Sequence, residues 1–305
     1  MYNKKLLLAL TAFVFLFSSI QFSQEKEEEE KSDSAEADQE WWDNDDWDDF
    51  DFDFDLFDNY KSPSVSLTYG FSSINIHNFS GSFTDPNIPQ LKLGYTTEKT
   101  NRESDGILDY KYNYLFLSNI RTDISGTPGA KEIESNMWRI GFGWAKGYGY
   151  DLGSAAIIPY NSYSLAWSRL DVKNFPDNQE DADKLALYNE AFRFGTGSEA
   201  GLRIQVIPQV TFEAAYERSV IFERHLFWKW AGSVLIEGAG HWALDSFVDR
   251  IMDSSPYAAP VVGFILKSAL SYGVYELRQE KMNWPFKSAA PIGYDQYKFG
   301  VTFNF

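Results

Sequence analysis

Residues 297–305 read Tyr-Lys-Phe-Gly-Val-Thr-Phe-Asn-Phe, with an aromatic or aliphatic side chain at every odd position and Lys298, Gly300, Thr302 and Asn304 at every even one. Successive side chains of a strand point to opposite faces, so this spacing predicts a strand with one apolar face and one polar or bare face. Ending on Phe305, such a strand suits two architectures: the edge of a soluble sandwich, or the closing strand of a barrel that spans a membrane.

Working back from it, seven more runs alternate in the same way: 64–71, 91–96, 110–116, 138–145, 162–168, 202–206 and 210–217. The second face decides between the two architectures. A sandwich shows a charged face to water. Here that face is mostly Gly, Ala, Ser and Thr, with isolated Arg139, Arg203, Glu213, Glu217 and Lys298 that can pair inside a narrow lumen. Trp138, Trp144, Tyr160 and Tyr163, near strand ends, suit interfacial aromatic girdles. The expected fold is therefore all-β: an antiparallel up-and-down transmembrane barrel of about eight strands. Ten are possible, since residues 73–79 could be a further strand or an extension. Ile207-Pro208-Gln209 predicts a tight turn, residues 147–154 a short Gly-rich one, and residues 171–197 a long loop with helix near 182–192.

Composition agrees. Ten Trp and eighteen Tyr suit a surface where rings meet both lipid and water, and the absence of Cys excludes disulfides, thiolate metal sites and a lipoprotein anchor. Met1–Lys5 is basic, Leu6–Ile20 is apolar and Ser18, Ser19 and Ser23 are small, which predicts a signal peptide over 1–23 and export. Residues 24–60 carry eighteen Asp or Glu against Lys26 and Lys31, so almost all of the net charge of −17 lies there. Residues 24–61 are expected to form an acidic, aromatic low-complexity segment. It is either a disordered spacer, a strip that docks a basic periplasmic or secretion partner, or a Ca²⁺ collector without the loop geometry of an EF-hand. No basic footprint for nucleic acid is present.

The terminal pattern Lys298-x-Gly300-x-x-Phe303-x-Phe305 resembles the C-terminal signal read by the outer-membrane assembly machinery. Residues 62–220 and 296–305 together are similar in pattern to small bacterial outer-membrane β-barrel proteins of porin-like or OmpA-like type. The resemblance implies residence in the outer membrane of a Gram-negative-type bacterium, contact with its lipid and insertion by that machinery. It implies no cofactor.

Residues 220–295 break the barrel pattern inside the domain 62–305. Phe227, Trp230, Val234, Gly238, Trp242, Phe247 and Ile251 follow helical spacing, Asp253-Ser254-Ser255-Pro256 stops it, and 258–277 could form a second helix starting near Pro260. An eight-stranded lumen is filled by side chains, so two helices are expected over a mouth, on the membrane interface, or inside a wider barrel. His241 lies four residues from both Glu237 and Asp245, which a helix would align on one face, with Ser233 or Ser246 as a possible nucleophile. Glu217, Arg218, Glu223 and Arg224 suggest salt bridges at a strand end. His77 is expected in an outer loop without a visible partner, and no metal or phosphate-binding motif is present. Three functions follow: a structural, binding or small-pore barrel; a lipid-modifying enzyme with its site near His241; or a membrane subunit docking a partner through residues 24–60.

Overall fold

The computed structural model describes residues 62–83, 87–102, 104–121 and 132–305. The expected signal peptide and acidic segment lie outside the described residues. Eight long strands form a closed barrel: β1 (Ser62–Ile76), β2 (Asn87–Thr100), β3 (Ile107–Arg121), β4 (Ser135–Asp151), β5 (Ala156–Val172), β6 (Phe192–Ile207), β7 (Val210–Ile221) and β8 (Ile292–Asn304). Each pairs antiparallel with its neighbours in the chain, and β8 closes on β1 from Ser64 opposite Asn304 to Ile76 opposite Ile292. Phe305 extends the seam by donating its amide to the Pro63 carbonyl at 2.9 Å. Residues 73–76 extend β1, and the two-residue parallel bridge of Ser82–Phe83 with Glu132–Ile133 lies outside the barrel wall.

The strands run past the alternating runs at both ends. β2 and β3 are therefore joined by residues 101–106, β4 and β5 by 152–155, and β6 and β7 by Pro208-Gln209. These short connections define a turn end. The opposite, loop end carries, among the described residues, 77–83, 132–134, 173–191 and 222–291.

On β8 the odd residues face outward, with Tyr297, Phe299 and Phe303 exposed, while Gln296, Lys298 and Thr302 are buried in the lumen. β1, β2, β4, β6 and β7 repeat this division. β3 reverses it: Tyr110, Tyr112, Tyr114 and Phe116 point inward, and Leu115, 65% exposed, points out. Tyr160 also lies in the lumen, not in an interfacial girdle. The reason is space. A Cβ on Gly143 would come within 2.5 Å of the Tyr114 ring, and one on Gly201 within 2.7 Å of the Tyr160 ring. Bare glycine backbone on β4 and β6 thus makes the room that rings from β3 and β5 fill, as close packing requires. A second correction follows from the same period of two: Glu217 enters the lumen, whereas Arg218 lies on the outer wall over the Tyr272 ring at 4.0 Å, so they form no rim cluster.

At the loop end the lumen is closed by an apolar cluster. Ile88, Ile120, Met137, Leu170, Ile221 and Ile292 from the wall pack with Leu185 and Tyr188 from the connection between β5 and β6. That connection holds α1 (Gln179–Ala186), capped by Asn178, whose side chain accepts from the Glu180 amide at 3.1 Å. Asp181 ties α1 to the β1–β2 loop, accepting from the Ser80 amide at 3.0 Å and from the Ser80 hydroxyl.

The 222–291 connection forms α2 (Phe227–Ser254) and α3 (Ala259–Glu280), with Pro260 in the first turn of α3. The pair neither caps the mouth nor enters the lumen. It lies along the outer wall: α2 starts at the loop end, where Trp230 packs on Phe194, and finishes at the turn end, where Tyr150 donates to the Tyr257 carbonyl at 2.8 Å. α3 runs back across β4–β7. Close approach of the helices uses Gly240 beneath Leu270 and Gly263 beneath Val248, each with only 3.1 Å between a built Cβ and its neighbour.

Candidate functional site

Charged groups collect in two places, the lumen and the seam between the hairpin and the wall. In the lumen, Lys298 Nζ donates to Glu217 at 2.6 Å, to Gln90 at 3.2 Å and to Glu199. Glu199 also accepts from Lys92 at 3.1 Å and from the Tyr160 hydroxyl at 2.6 Å. Arg139 pairs with Glu217 and Arg203 with Glu213, both at 3.2 Å. Each of these ions is nearly inaccessible to solvent, and together they cross the barrel from β2 through β4, β6 and β7 to β8. Ions taken out of water need such partners, since an unpaired one would carry a large desolvation cost. The network therefore fills the middle of the lumen, with the ring cluster of Tyr110, Tyr112 and Tyr160 toward the turn end and the apolar cluster toward the loop end.

The seam carries the second set. Arg278 of α3 pairs with Glu237 of α2 at 2.8 Å and donates to the Ser233 hydroxyl at 3.0 Å. One turn further along α2, His241 Nε2 lies 2.6 Å from the Tyr163 hydroxyl, which in turn lies 2.7 Å from the Ser271 hydroxyl. Another turn on, Asp245 pairs with Lys267, and Asp249 accepts from the Tyr148 hydroxyl at 3.2 Å. Asn161 of β5 donates to Ser268 at 2.9 Å. The result is a ladder of polar contacts down the full height of the hairpin, fastening α2 to α3 and both to β4 and β5.

Glu237, His241 and Asp245 do occupy one face of α2, the face turned to α3 and the wall. The two carboxylates are taken by Arg278 and Lys267, while the imidazole meets a phenol. Ser246 is exposed on another face and donates to the Trp242 carbonyl of its own helix at 3.1 Å, so it is not brought to His241. Ser271–Tyr163–His241 is instead the chain of groups at mid-height. It can pass a proton between a serine hydroxyl and an imidazole through one phenol. His225 stacks on Phe194 at 4.6 Å between ring centres, and His77 is exposed in the β1–β2 loop. Of the terminal pattern, Lys298 and Gly300 face the lumen while Phe303 and Phe305 face outward.

Tyr163, expected from its sequence position as an interfacial aromatic, instead bonds His241 and Ser271 at mid-height under the hairpin, and no local sequence signal marks Ser271 or Arg278 as its neighbours. Ser271 and Arg278 do leave a trace: Lys267, Ser268, Ser271, Tyr275 and Arg278 form one helical stripe in an otherwise apolar stretch. What faces that stripe comes from a strand more than a hundred residues earlier.

No protein-family model and no curated protein sequence matches the chain. Among solved structures, Neisserial surface protein A is similar at 12% identity and a TM-score of 0.39, covering 80% of this chain and 97% of that one. Ail, the attachment invasion locus protein of Yersinia pestis, is similar at 9% identity and a TM-score of 0.35, covering 80% and 99%. The outer membrane protein OprG from Pseudomonas aeruginosa is similar at 11% identity and a TM-score of 0.25, covering 81% and 97%. The chain's own strand order makes it a closed, eight-stranded, antiparallel up-and-down β-barrel with a helical hairpin before its last strand.

Proposed function

We propose that the chain is an outer-membrane β-barrel protein with a structural or binding role, oriented with its turn end to the periplasm. One observation carries the reading: the distribution of polarity is inverted relative to a soluble protein. Exposed Leu67, Phe71, Leu115, Ile140, Phe212 and Phe299 ring the outer wall, while Lys92, Arg139, Glu199, Arg203, Glu217 and Lys298 are buried inside. That is the arrangement a bilayer selects in a barrel. The exported leader expected at 1–23 and the terminal Lys298–Phe305 pattern support the same destination through the assembly machinery. Heat-modifiable migration of the outer-membrane fraction on gels tests it; a water-soluble, monodisperse chain without a heat-shifted band would refute it. Because the ion network and two ring or apolar clusters obstruct the lumen, a structural or binding role is favoured over a small pore. Purified protein should give no steady single-channel conductance in planar bilayers.

A second reading, a lipid-modifying enzyme, draws on the Ser271–Tyr163–His241 chain, whose hydroxyl, phenol and imidazole meet at mid-height on the outer wall. His241→Ala should then change the lipid profile of the producing cell; an unchanged profile removes its central residue. The docking role of residues 24–60 is tested by a pull-down with that segment as bait.

A further inference from the structure

Neither helix of the hairpin is long and apolar enough to count as a membrane span by its composition. Yet composition averages over all faces, and between their end turns the charged residues of α2 and α3, Glu237, Asp245 and Lys267, lie toward the faces turned to each other and to the wall. The exposed face of α2 between Lys229 and Asp249 presents Leu235, Ile236, Ala239, Trp242, Ala243 and Phe247, with Ser246 bonded to its own helix. Twenty residues at about 1.5 Å each separate those two exposed charges by about 30 Å. On α3 no charged residue is exposed from Ala259 to Tyr275, a rise of about 24 Å at the same pitch. Glu237 and Lys267 are mostly covered, and half-exposed Asp245, one turn from Asp249, is held by Lys267. An outer-membrane barrel carries an apolar band of about 25 Å, so both lengths match.

The edges coincide as well. Lys111 and Lys146, cross-strand neighbours exposed on β3 and β4, bring charge to the outward face of those two strands toward the turns. Two residues beyond Lys146, Tyr148 bonds Asp249, the residue at which charge returns to the face of α2. At β3 and β4 the charge-free faces of hairpin and wall thus share a lower edge.

From this match we infer that the exposed face of the α2–α3 hairpin is a lipid surface, its occupant the acyl chains of the bilayer, so that two helices cross the membrane strapped to the outside of the barrel. The inference rests on the outer-membrane reading. Their polar ladder is the physical reason they can do so. Helices in hydrocarbon gain little from apolar burial, and the buried ion pairs and hydrogen bonds supply the attachment instead.

The absence of native Cys makes the test direct. Full-length single-Cys variants Trp242→Cys, Phe247→Cys and Ile265→Cys are spin-labelled in phospholipid nanodiscs. Their accessibility to oxygen and to a water-soluble nickel chelate is compared with Leu115→Cys and Phe212→Cys on the barrel wall, and with Lys229→Cys and Asp253→Cys at the ends of α2. All seven side chains lie at exposed positions, and heat-modifiable migration confirms the fold of each variant. The expected result is that 242, 247 and 265 match 115 and 212, rich in oxygen and at least tenfold poorer in nickel contact than 229 and 253. Nickel access at 242, 247 and 265 with lipid exposure retained at 115 and 212 overturns the inference and leaves the barrel reading standing. Nickel access at all of them overturns both. Protection of 242, 247 and 265 from both reagents assigns the face to a protein partner and overturns the lipid assignment.

Discussion

Replacing Lys298 by Met tests whether the lumen is the dry, paired interior that the structure describes. Lys298 Nζ touches Glu199, Glu217 and Gln90, and its side chain is only 2% exposed. A methionine has similar length, so the change removes a charge more than a volume. Deleting one partner of a buried ion pair costs about 3–5 kcal/mol, because the other charge is left without compensation. Glu199 keeps Lys92 at 3.1 Å and Glu217 keeps Arg139 at 3.2 Å, which places the expected loss at about 3 kcal/mol, the lower end. Urea unfolding of the refolded barrel in detergent micelles, followed by Trp fluorescence and by the heat-shifted band, reads that loss. Using refolded protein separates stability from any effect of Lys298 on assembly in the cell. Adding Glu199→Gln should restore part of it, since residues in one network couple by about 0.5–3 kcal/mol. If Lys298→Met unfolds within about 0.5 kcal/mol of the parent, as an ordinary surface change would, the lumen ions are solvated and the barrel is not obstructed.

Three further outcomes are expected. Gly201→Ala places a methyl 2.7 Å from the Tyr160 ring and should destabilise the barrel by about 1–3 kcal/mol, seen as a lower urea midpoint. Arg278→Met strands Glu237 in the seam and should expose the 222–291 connection to limited proteolysis while the eight-stranded barrel keeps its heat-shifted band. The Ser80 hydroxyl and amide hold the Asp181 carboxyl below the usual aspartate range. The folded value is thus below the unfolded one, so the tether between α1 and the β1–β2 loop is at full strength above the ordinary range. It is lost as pH falls through the depressed folded value. Amide exchange of residues 80–83 and 179–188, corrected for intrinsic rates, should show protection falling with acidification, and Asp181→Asn should flatten that dependence.

Much of the architecture was legible because its signals are local. A period of two over five to nine residues located all eight strands, and helical spacing with Ser255-Pro256 as the break located α2 and α3 within a few residues. The site was less legible. His241, Glu237 and Asp245 could be placed on one face of a helix from their spacing alone, but their partners Tyr163, Arg278 and Lys267 come from other elements and no local pattern joins them.

By itself, then, the sequence determined which segments are strands and which are helices, and that each strand has two unlike faces. Its alternation also announced the inverted polarity, since small polar residues opposite aromatic ones suit a narrow lumen. Only the tertiary structure decided which face goes inward. The tyrosines of β3 turn into the lumen because glycines on a neighbouring strand leave room there, and that room exists only once β4 lies alongside. It likewise placed the hairpin outside the wall. A lumen already filled by Arg139, Arg203 and the rings of Tyr110, Tyr112, Tyr114, Phe116, Tyr160 and Tyr294 has no volume for helices, while the polar stripe of α3 finds partners on the outward face of β5.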